Sequence, residues 1–390
     1  MSEGFVTDHR EADPVTVRFV DSIAEIGRDA WNALTGTRNP FMRYEFLHAL
    51  ERTGCTGAAS GWLPRHLALY DGKEENCRAI VPLYHKTNSW GEYVFDWSWA
   101  NAYQQHGLAY YPKYVTASPF TPSVGQRLFG NAAGNMQLIC EQIRRRALRD
   151  GVSSWHVLFP TEEECRLLRG QDMHIRHGTQ FRWHNRDYRS FDDFLDSLAS
   201  RKRKNLRKER RRVRDQDIHF SVTEGADISE AQWADFFLYY QTTYLQRGMQ
   251  GYLSLEFFHE VAGTMPEQLL MVNADYSGRD IAAALFFRND ETLFGRYWGC
   301  REEREFMHFE TCYYQGLDYA IANGLQSFDS GAQGEHKIQR GFEPVTTWSA
   351  HWLAHPDFDR AIGRFVKQER AHIEAYQEAA RSLLPYRSAG

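Results

Sequence analysis

The sequence predicts a mixed α/β protein with two similar domains in tandem, and three observations support this. The chain has 390 residues, which is enough for two domain-sized cores. The same order of elements occurs in both halves: two strands joined by a turn, a third strand, a helix and a short strand. The second half also carries a strongly basic segment, and the chain ends in a long polar helical pattern. We therefore expect two domains, each with a central mixed sheet flanked by helices, a basic helical insertion in the second, and a long C-terminal helix.

The first half contains the first copy of this pattern. Alternating apolar residues predict a strand over residues 14–20, and apolar residues three and four apart predict two helices after it. Two apolar runs separated by Asp71-Gly72-Lys73 predict a hairpin. The elements after the first strand are helices over 24–34 and 43–52, strands over 66–70, 78–85 and 92–99, a helix within 123–149, and a strand over 155–159.

The second half repeats the pattern after a strand over residues 181–184. Two apolar runs joined by residues 276–279 predict a second hairpin, and Gly324 is expected at the C-terminal cap of a helix. The elements are strands over 269–274, 281–287, 292–299, 325–328 and 345–352, and helices over 308–323 and 356–384. We expect a disordered N-terminus over 1–14, domains over 15–178 and 179–355 with the basic helix at about 191–216, and the C-terminal helix within 356–390.

The composition and motifs exclude several classes of protein. The N-terminus lacks the basic and apolar segments of a secretory signal, and no run of 18 apolar residues predicts a membrane span. The six cysteines are scattered without CxxC spacing, so neither a disulfide scaffold nor a metal site is expected. The phosphate-binding motif GxxxxGK[ST] and the hydrolase motif GxSxG are absent. We expect a cytoplasmic protein without a tightly bound cofactor.

The basic segment, residues 201–214, carries ten Lys or Arg and one Glu in a chain of net charge −5. Such segregation of charge is typical of a surface that binds phosphates, or of a solvated helix face. On a helix only Leu206 and Val213 form an apolar seam, so most of the cations must be exposed. DNA is not an expected partner, because the rest of the chain is acidic and no helix-turn-helix pattern surrounds the segment. The residues expected to bind phosphates of RNA or of a nucleotide-linked substrate are Arg203, Lys204 and Arg207.

A polar, Gly-rich segment, residues 327–342, follows a short apolar strand. Loops of this kind at a strand's end commonly build sites, although Asp329 could also bind only its own backbone. Lys337 is a compact cation suited to a phosphate or a developing oxyanion, and we expect it to be the catalytic electrophile. The candidate proton acceptors are His336, Glu335 and Asp329, and the sequence does not choose among them.

Two further stretches are rich in aromatic and polar residues. The first consists of residues 295–300, at the end of a strand, and residues 308–315, at the start of a helix. Anions often bind at the start of a helix, although the aromatic residues here could equally belong to the core. The other, residues 96–113, could form a wall of the acceptor pocket or a packed loop. The candidate substrate-binding residues are Tyr297, Trp298, His308, Glu310, Gln333 and Arg340, and the candidate pocket residues are Trp99, Tyr103, His106, Tyr111 and Lys113.

Five segments carry a family resemblance. They are Asn39-Pro40-Phe41, the run Ser-Arg-Lys-Arg-Lys-Asn-Leu-Arg at 200–207, Tyr297-Trp298-Gly299, His308-Phe309-Glu310, and residues 328–337 with Gly341-Phe342. Together they resemble the Fem-type peptidyltransferases, and most closely the Fem-like branch named for peptidoglycan biosynthesis and recognition, within the GNAT acyltransferase superfamily. The resemblance covers residues 15–380, roughly.

The resemblance implies tandem GNAT-like domains and the transfer of an amino acid from aminoacyl-tRNA to an amine of a cell-wall precursor. It also implies that Lys337 assists the RNA end of the transferred ester and that the basic helix contacts tRNA. Two features depart from the family. The helical coiled-coil arm of some Fem proteins is absent, and the pyrophosphate loop Q/RxxGxG/A of GNAT enzymes is represented only by fragments.

The expected function is amide formation by aminoacyl or acyl transfer to a small-molecule or peptide amine, with aminoacyl-tRNA as the co-substrate. Two alternatives stay open. One is a GNAT N-acyltransferase that uses an acyl-CoA or a carrier-protein thioester, which a pantetheine-sized groove beside a splayed strand pair would favour. The other is a non-catalytic protein that binds RNA or a nucleotide-linked precursor.

Overall fold

The computed structural model describes residues 15–72, 76–332 and 334–387. The predicted disordered N-terminus over 1–14 and the candidate residue Gln333 lie outside the described residues. The strands are β1 Val15–Val20, β2 Trp62–Pro64, β3 His66–Asp71, β4 Asn76–Val81, β5 Tyr84–Lys86, β6 Lys113–Thr116, β7 Phe129–Gly130, β8 Ser154–Leu158, β9 His174–His184, β10 Ile218–Glu224, β11 Leu269–Tyr276, β12 Arg279–Arg288, β13 Thr292–Cys300, β14 Ser327–Asp329 and β15 Glu343–Leu353.

The helices alternate with these strands and cover both faces of the sheets. They are α1 Arg28–Thr35, α2 Tyr44–Arg52, α3 Trp97–Gln105, α4 Met136–Arg149, α5 Glu162–Arg169, α6 Phe191–Asp196, α7 Ser200–Arg214, α8 Glu230–Leu245, α9 Leu255–Thr264, α10 Met307–Phe309, α11 Gln315–Ala322 and α12 Pro356–Ser382. A π-helical turn, Glu310–Tyr314, joins α10 to α11. The mixed α/β class that the sequence predicts is confirmed.

One long sheet runs through both halves of the chain. Its strand order is β10-β11-β12-β13-β14-β9-β15-β8-β6-β5-β2, and the smaller sheet has the order β1-β3-β4-β7. At the centre, β15 pairs antiparallel with β8 of the first half and with β9. Strand β9 crosses residue 178, where the sequence analysis placed the domain boundary, and Gly178 pairs there with Thr347.

The two halves also share a hydrophobic core. The rings of Phe41 and Phe46 on the first half contact Phe287 of β12, with ring centroids 5.0 Å and 5.7 Å apart. Phe46 also meets Phe257 of α9 edge to face at 5.4 Å. All four rings are buried. Because aromatic pairs of this kind add to the burial of apolar surface, the contact fixes one half against the other.

The strand expected over 78–85 is divided into β4 and β5, and two further expected elements of the first half differ more strongly. The strand expected over 92–99 is a loop that leads into α3, because the buried Asp96 accepts a charge-assisted hydrogen bond from Lys113 and sets the start of that helix. The helix expected within 123–149 forms only over α4. A short strand and a 3-10 turn precede it, since Gly130 adopts a left-handed conformation (φ +67°) that stops a helix there.

The basic helix forms as expected but is shorter. Ser190 caps a separate helix, α6, by accepting a hydrogen bond from the Asp193 amide. Helix α7 then buries only Leu206 and Val213, the two residues of the expected apolar seam. The helix therefore rests on the domain along one narrow line and keeps most of its length in water.

Candidate active site

A cavity of about 490 Å³ lies between the two halves of the chain, within the usual size range of small-molecule sites. The first half contributes the loop at residues 89–97, together with Phe120 and Pro122. The second half contributes β12, β13, residues 330–332 and the buried Lys337. Four of the expected site residues line this cavity: Tyr297, Trp298, His308 and Lys337.

The cavity lies where two parallel strands diverge. Strands β13 and β14 pair over only three residues, Thr292–Phe294 against Ser327–Asp329, after which β13 continues to Cys300. The register of β13 against β12 also shifts between Gly295 and Tyr297, which leaves Arg296 in a bulge. Gly295–Trp298 and residues 330–332 both line the cavity at this point. Sites commonly form at the carboxyl ends of parallel strands, where the strands separate.

The carboxylate of Asp329 anchors this end of β14. It accepts hydrogen bonds from Arg296 at 3.3 and 3.1 Å and from the Gly331 amide at 3.0 Å, and Arg182 lies 3.8 Å away. Burial alone would raise the pKa of Asp329, but the two guanidinium groups lower it to about 2. A carboxylate with so low a pKa is a weak base at neutral pH, which makes Asp329 a poor proton acceptor. Asp329 instead fixes the turn that carries residues 330–331.

Lys337 is held by that same turn. Its Nζ donates hydrogen bonds to the carbonyl oxygens of Ser330 at 2.8 Å and Gly331 at 3.0 Å. Burial lowers the pKa of Lys337 to about 8, and the carboxylate of Asp329 limits that decrease. An ammonium group has three N–H donors, and the two carbonyls use two of them. Lys337 therefore brings to the cavity a cation that can lose its proton slightly above neutral pH.

Two histidines stand next to Lys337. His308 lines the cavity, and the centre of its ring lies 6.1 Å from the centre of the His336 ring. His336 Nε2 and Tyr313 Oη share a hydrogen bond of 2.9 Å. Burial, followed by the neighbouring positive groups, lowers the pKa of each histidine to about 4. Both imidazoles are therefore neutral at pH 7 and able to accept a proton. His308 is the one of the pair that lines the cavity.

The remaining candidates of this region lie around the cavity. Glu335 is exposed and accepts a hydrogen bond from Tyr376 of α12 at 2.8 Å. Glu310 is buried under α7, and Arg340 stacks on Phe309 with its guanidinium carbon 3.4 Å from the ring centre. These three side chains are outside the set that lines the cavity, among the residues that the structure describes. These three side chains therefore lie around the cavity and do not form its surface.

The structure places the residues of the expected acceptor pocket away from this cavity. None of its five residues lines the cavity in the described structure. Trp99, Tyr103 and Tyr111 pack in a cluster with the C-terminal helix, and His106 is an exposed residue after α3. Lys113 is fully buried and donates to Ser89 at 2.8 Å and Glu92 at 2.8 Å. Lys113 therefore holds the loop at 89–97 from its buried side, since Ser89 begins that loop and lines the cavity.

Most residues that line the cavity were not among the expected site residues, and examples are Tyr93, Phe120, Tyr244, Tyr252 and Arg296. Arg296 gave a usable signal, because a lone arginine inside an apolar strand needs a buried anion. The four aromatic residues come from separate segments of ordinary composition. These residues come together only because of how the two halves pack, and a local sequence pattern does not predict that packing.

Helix α7 has a paired face and an unpaired face. Arg203 pairs with Asp196 at 3.1 Å, Arg207 with Asp192 at 3.0 Å, and Arg210 with Glu310 at 2.7 Å. The exposed cations Arg201, Lys204, Lys208 and Arg211 have no ion pair within the described ranges. These four residues, which we name the cationic stripe, are spaced i, i+3, i+7 and i+10 and so share one helix face. Of the three residues expected to bind phosphates, only Lys204 belongs to the stripe.

The paired face of α7 rests on the segment that carries Lys337. Glu209 accepts a hydrogen bond from Arg340 at 2.7 Å and one from Tyr314, and Lys202 reaches Gln339. Arg340 in turn donates to the carbonyl oxygen of His336 at 2.8 Å. The basic helix and the residue before Lys337 are therefore joined through one arginine.

The described residues contain no cluster of three or more His, Cys, Asp or Glu that could hold a metal ion. Across the described part of the chain, no helix combines the length and the apolar character that crossing a membrane requires.

Comparison with known proteins gives the family. Residues 22–388 match the FemAB-like family, described as peptidoglycan biosynthesis/recognition. No curated protein is significantly similar to this sequence.

Solved structures give the fold. The crystal structure of FemX has a TM-score of 0.52 at 10% identity and covers 90% of this chain and 100% of its own. The C-terminal domain of a putative lysylphosphatidylglycerol synthetase from Agrobacterium fabrum has a TM-score of 0.53 at 8% identity, covering 86% and 94%. A tandem GNAT protein from the clavulanic acid biosynthesis pathway has a TM-score of 0.43 at 10% identity, covering 88% and 99%. This chain belongs to the FemAB-like family, and its fold is similar to that of FemX.

Proposed function

We propose that this protein is an acyltransferase, which forms an amide bond by moving an aminoacyl or acyl group from an activated ester to an amine. The observation that carries the proposal is the position of Lys337, a buried cation at the wall of an interdomain cavity where two parallel strands separate. A cation held there can stabilise the negative charge that develops on the ester carbonyl and on the departing oxygen.

In this reaction the amine nitrogen bonds to the carbonyl carbon as the ester carbon–oxygen bond breaks. The proton that the amine loses balances the proton that the departing hydroxyl gains. His308 supports the first transfer, since its imidazole lines the cavity and its low pKa, about 4, keeps it neutral at pH 7. A positioned base and a positioned cation together account for the chemistry without a bound cofactor.

We infer that the donor is an aminoacyl-tRNA. The cationic stripe of α7 supports this, because four unpaired cations on one solvent face suit the phosphates of a nucleic acid. The paired face of the same helix contacts the segment of Lys337 through Arg340. A tRNA bound along the stripe would thus lie beside the segment that carries the catalytic lysine.

A second donor class is favoured by one specific observation. Strands β13 and β14 separate after three paired residues, and the cavity opens between them. A splayed parallel pair of this kind suits the extended arm of an acyl-CoA or of a carrier-protein thioester. The donor would then leave as a thiol in place of a hydroxyl, with the same new amide bond.

The test is incubation of the protein with separately charged aminoacyl-tRNAs and with acyl-CoAs, each with a panel of primary amines, and mass spectrometry for new amides. We expect products from charged tRNA, and a loss of roughly 10²–10³ in kcat in Lys337→Ala. Lys367→Ala on the exposed face of α12 is the matched control and should keep full activity. Products from thioesters alone would overturn the tRNA assignment, and products from neither donor would overturn the proposal.

A further inference from the structure

One set of cavity-lining residues consists of aromatic side chains. We name it the aromatic wall; its residues are Trp90, Tyr93, Trp97, Phe120, Tyr244 and Tyr252. Four of them come from the first half of the chain and two from the segment that begins at the end of α8. Trp90 and Trp97 are also 51% and 39% exposed, so they stand at the mouth of the cavity.

The wall is held in a strained conformation. Tyr93 and Phe120 have φ angles of +58° and +57°, in the left-handed region that bulky residues rarely adopt. Such strain persists only where the surroundings enforce it, and it is concentrated at functional sites. Here the ring of Phe120 stacks on Tyr252 with centroids 4.9 Å apart and planes at 15°. A Cβ on Gly91 would approach that ring to 2.5 Å, so only glycine leaves room for it.

The charge of the cavity limits what can occupy it. Arg247, Arg296 and Lys337 line it, and no Asp or Glu is among the described residues that do so. The carboxylate of Asp329 neutralises Arg296 from behind, which leaves Arg247 and Lys337 facing the cavity. A ligand group with a positive charge would find no anionic partner there and would lose its hydration. An anionic group also loses hydration, but Arg247 and Lys337 can offset that loss, and a neutral group loses less.

We propose that the aromatic wall binds an aromatic or large aliphatic group whose attached polar end is neutral or anionic. This inference rests on the acyl transfer proposed above and adds the class of substrate. The apolar group lies against the rings of Phe120 and Tyr252, and the polar end points toward Lys337. The substrate that carries this group is either the acyl donor or the amine acceptor, with the amine bound in its uncharged form.

The first test measures binding without turnover. The tryptophan fluorescence of the whole protein is followed during titration with 3-phenylpropionate, propionate and 2-phenylethylammonium. We expect 3-phenylpropionate to bind at least about tenfold more tightly than propionate, which lacks the ring. It should also bind at least about tenfold more tightly than 2-phenylethylammonium, which carries the same ring and the opposite charge. Equal binding of all three, or tighter binding of the cation, would overturn the proposal.

Variants locate the binding. Tyr252→Ala removes the ring that stacks on Phe120 and should weaken 3-phenylpropionate about fivefold or more. Leu238→Ala, on the exposed side of α8, is the control and should change nothing. Met249→Glu adds a carboxylate to the lining and should reverse the preference in favour of 2-phenylethylammonium. Circular dichroism verifies the fold of each variant. Unchanged binding in both Tyr252→Ala and Met249→Glu would contradict the site.

The two proposals fail in different ways. A protein that binds 3-phenylpropionate at this wall but forms no amide contradicts the acyl transfer alone. A protein that forms amides from small charged acyl groups and does not bind 3-phenylpropionate contradicts the aromatic subsite alone.

Discussion

At the scale of single residues, the site depends on the ionisation states of Lys337 and Asp329, which burial and neighbouring charges determine. Lys337 and Asp329 are both buried, yet their pKa values move to about 8 and about 2. Lys337 donates hydrogen bonds to two backbone carbonyls, whereas Asp329 forms ion pairs with Arg296 and Arg182. Lys337 can therefore change its charge near neutral pH, and Asp329 keeps its charge.

The rate of acyl transfer should fall as pH rises through about 8, because the ammonium form of Lys337 is the one that stabilises an oxyanion. A pH profile of kcat for the wild type measures this. Lys337→Arg keeps a cation at every pH used, and its residual activity should lack the decrease. A wild-type rate that rises through pH 8 would instead assign Lys337 as the base.

Asp329→Asn should destabilise the protein by about 3–5 kcal/mol, because it leaves the buried Arg296 without its anion. In the wild type the folded pKa of Asp329, about 2, lies below its ordinary value of 3.8. Its contribution is therefore present above pH ~4 and lost as pH falls toward ~2. Urea unfolding of both proteins between pH 2 and 7 measures this. Asp192→Asn removes an exposed pair and should change stability by less than about 1 kcal/mol.

At the scale of elements, the two faces of α7 have different roles: one attaches the helix to the domain, and the other presents cations to solvent. Arg210 attaches the helix to the domain by pairing with both Glu310 and Asp318. Burial alone would lower the pKa of Arg210, but the two carboxylates raise it and keep the guanidinium charged. The opposite face carries the cationic stripe. The helix can therefore present four cations to a ligand without loss of its own attachment.

Replacing the four residues of the cationic stripe by Gln should weaken RNA binding and reduce the slope of log K against log salt by roughly 3, because each lost phosphate contact removes about 0.7–0.9. Fluorescence anisotropy with unacylated tRNA at several salt concentrations measures the slope. The matched control replaces Arg203, Arg207 and Arg212, whose charges are already paired. An equal change in both variants would contradict the assignment of the stripe.

Glu209→Gln should lower kcat by about tenfold or more and leave the salt slope of tRNA binding unchanged. The reason is that Glu209 acts on the site through Arg340 and the backbone of His336, not on the RNA. Single-turnover kinetics and the same anisotropy titration measure the two quantities. A changed slope with unchanged kcat would place Glu209 among the RNA contacts instead.

At the scale of the whole molecule, the long sheet and the shared core make the two halves depend on each other. Strand β15 pairs with β8 on one side and β9 on the other, and the rings of Phe41 and Phe287 meet across the halves. A cavity between such halves keeps its shape, which a site for a specific substrate requires.

Calorimetry should show one unfolding transition for the whole chain. Cleavage at an engineered protease site after Gly178 should abolish the folded state, because it breaks β9 in the middle of its pairing with β15. An engineered site at the exposed Asp150–Gly151 turn leaves every strand intact and should be tolerated. Two separate transitions, or two stable fragments from the cut after Gly178, would contradict this dependence.

Much of the fold could be predicted because its signals are local. The two hairpins, β1, α7 and α12 follow from periodicity, turn residues and caps within short windows. The segment at 92–99 was misread, because its aromatic residues resemble a strand while a buried ion pair from β6 sets its conformation. Strand β10 and helices α8 and α9 were not assigned at all, and α8 supplies part of the cavity.

The sequence by itself determined the class of fold, the family resemblance, the basic helix and the loop that carries Lys337. Each of these features depends on residues that are close together in the sequence. Only the tertiary structure decided that Asp329 is an anchor, and that Arg203 and Arg207 are paired while Lys204 has no ion pair among the described residues. It also decided that the loop at 89–97 lines the cavity and that, of the expected stretch 96–113, only Trp97 does so. The physical reason is that burial, ion pairing and cavity shape arise between residues far apart in the chain.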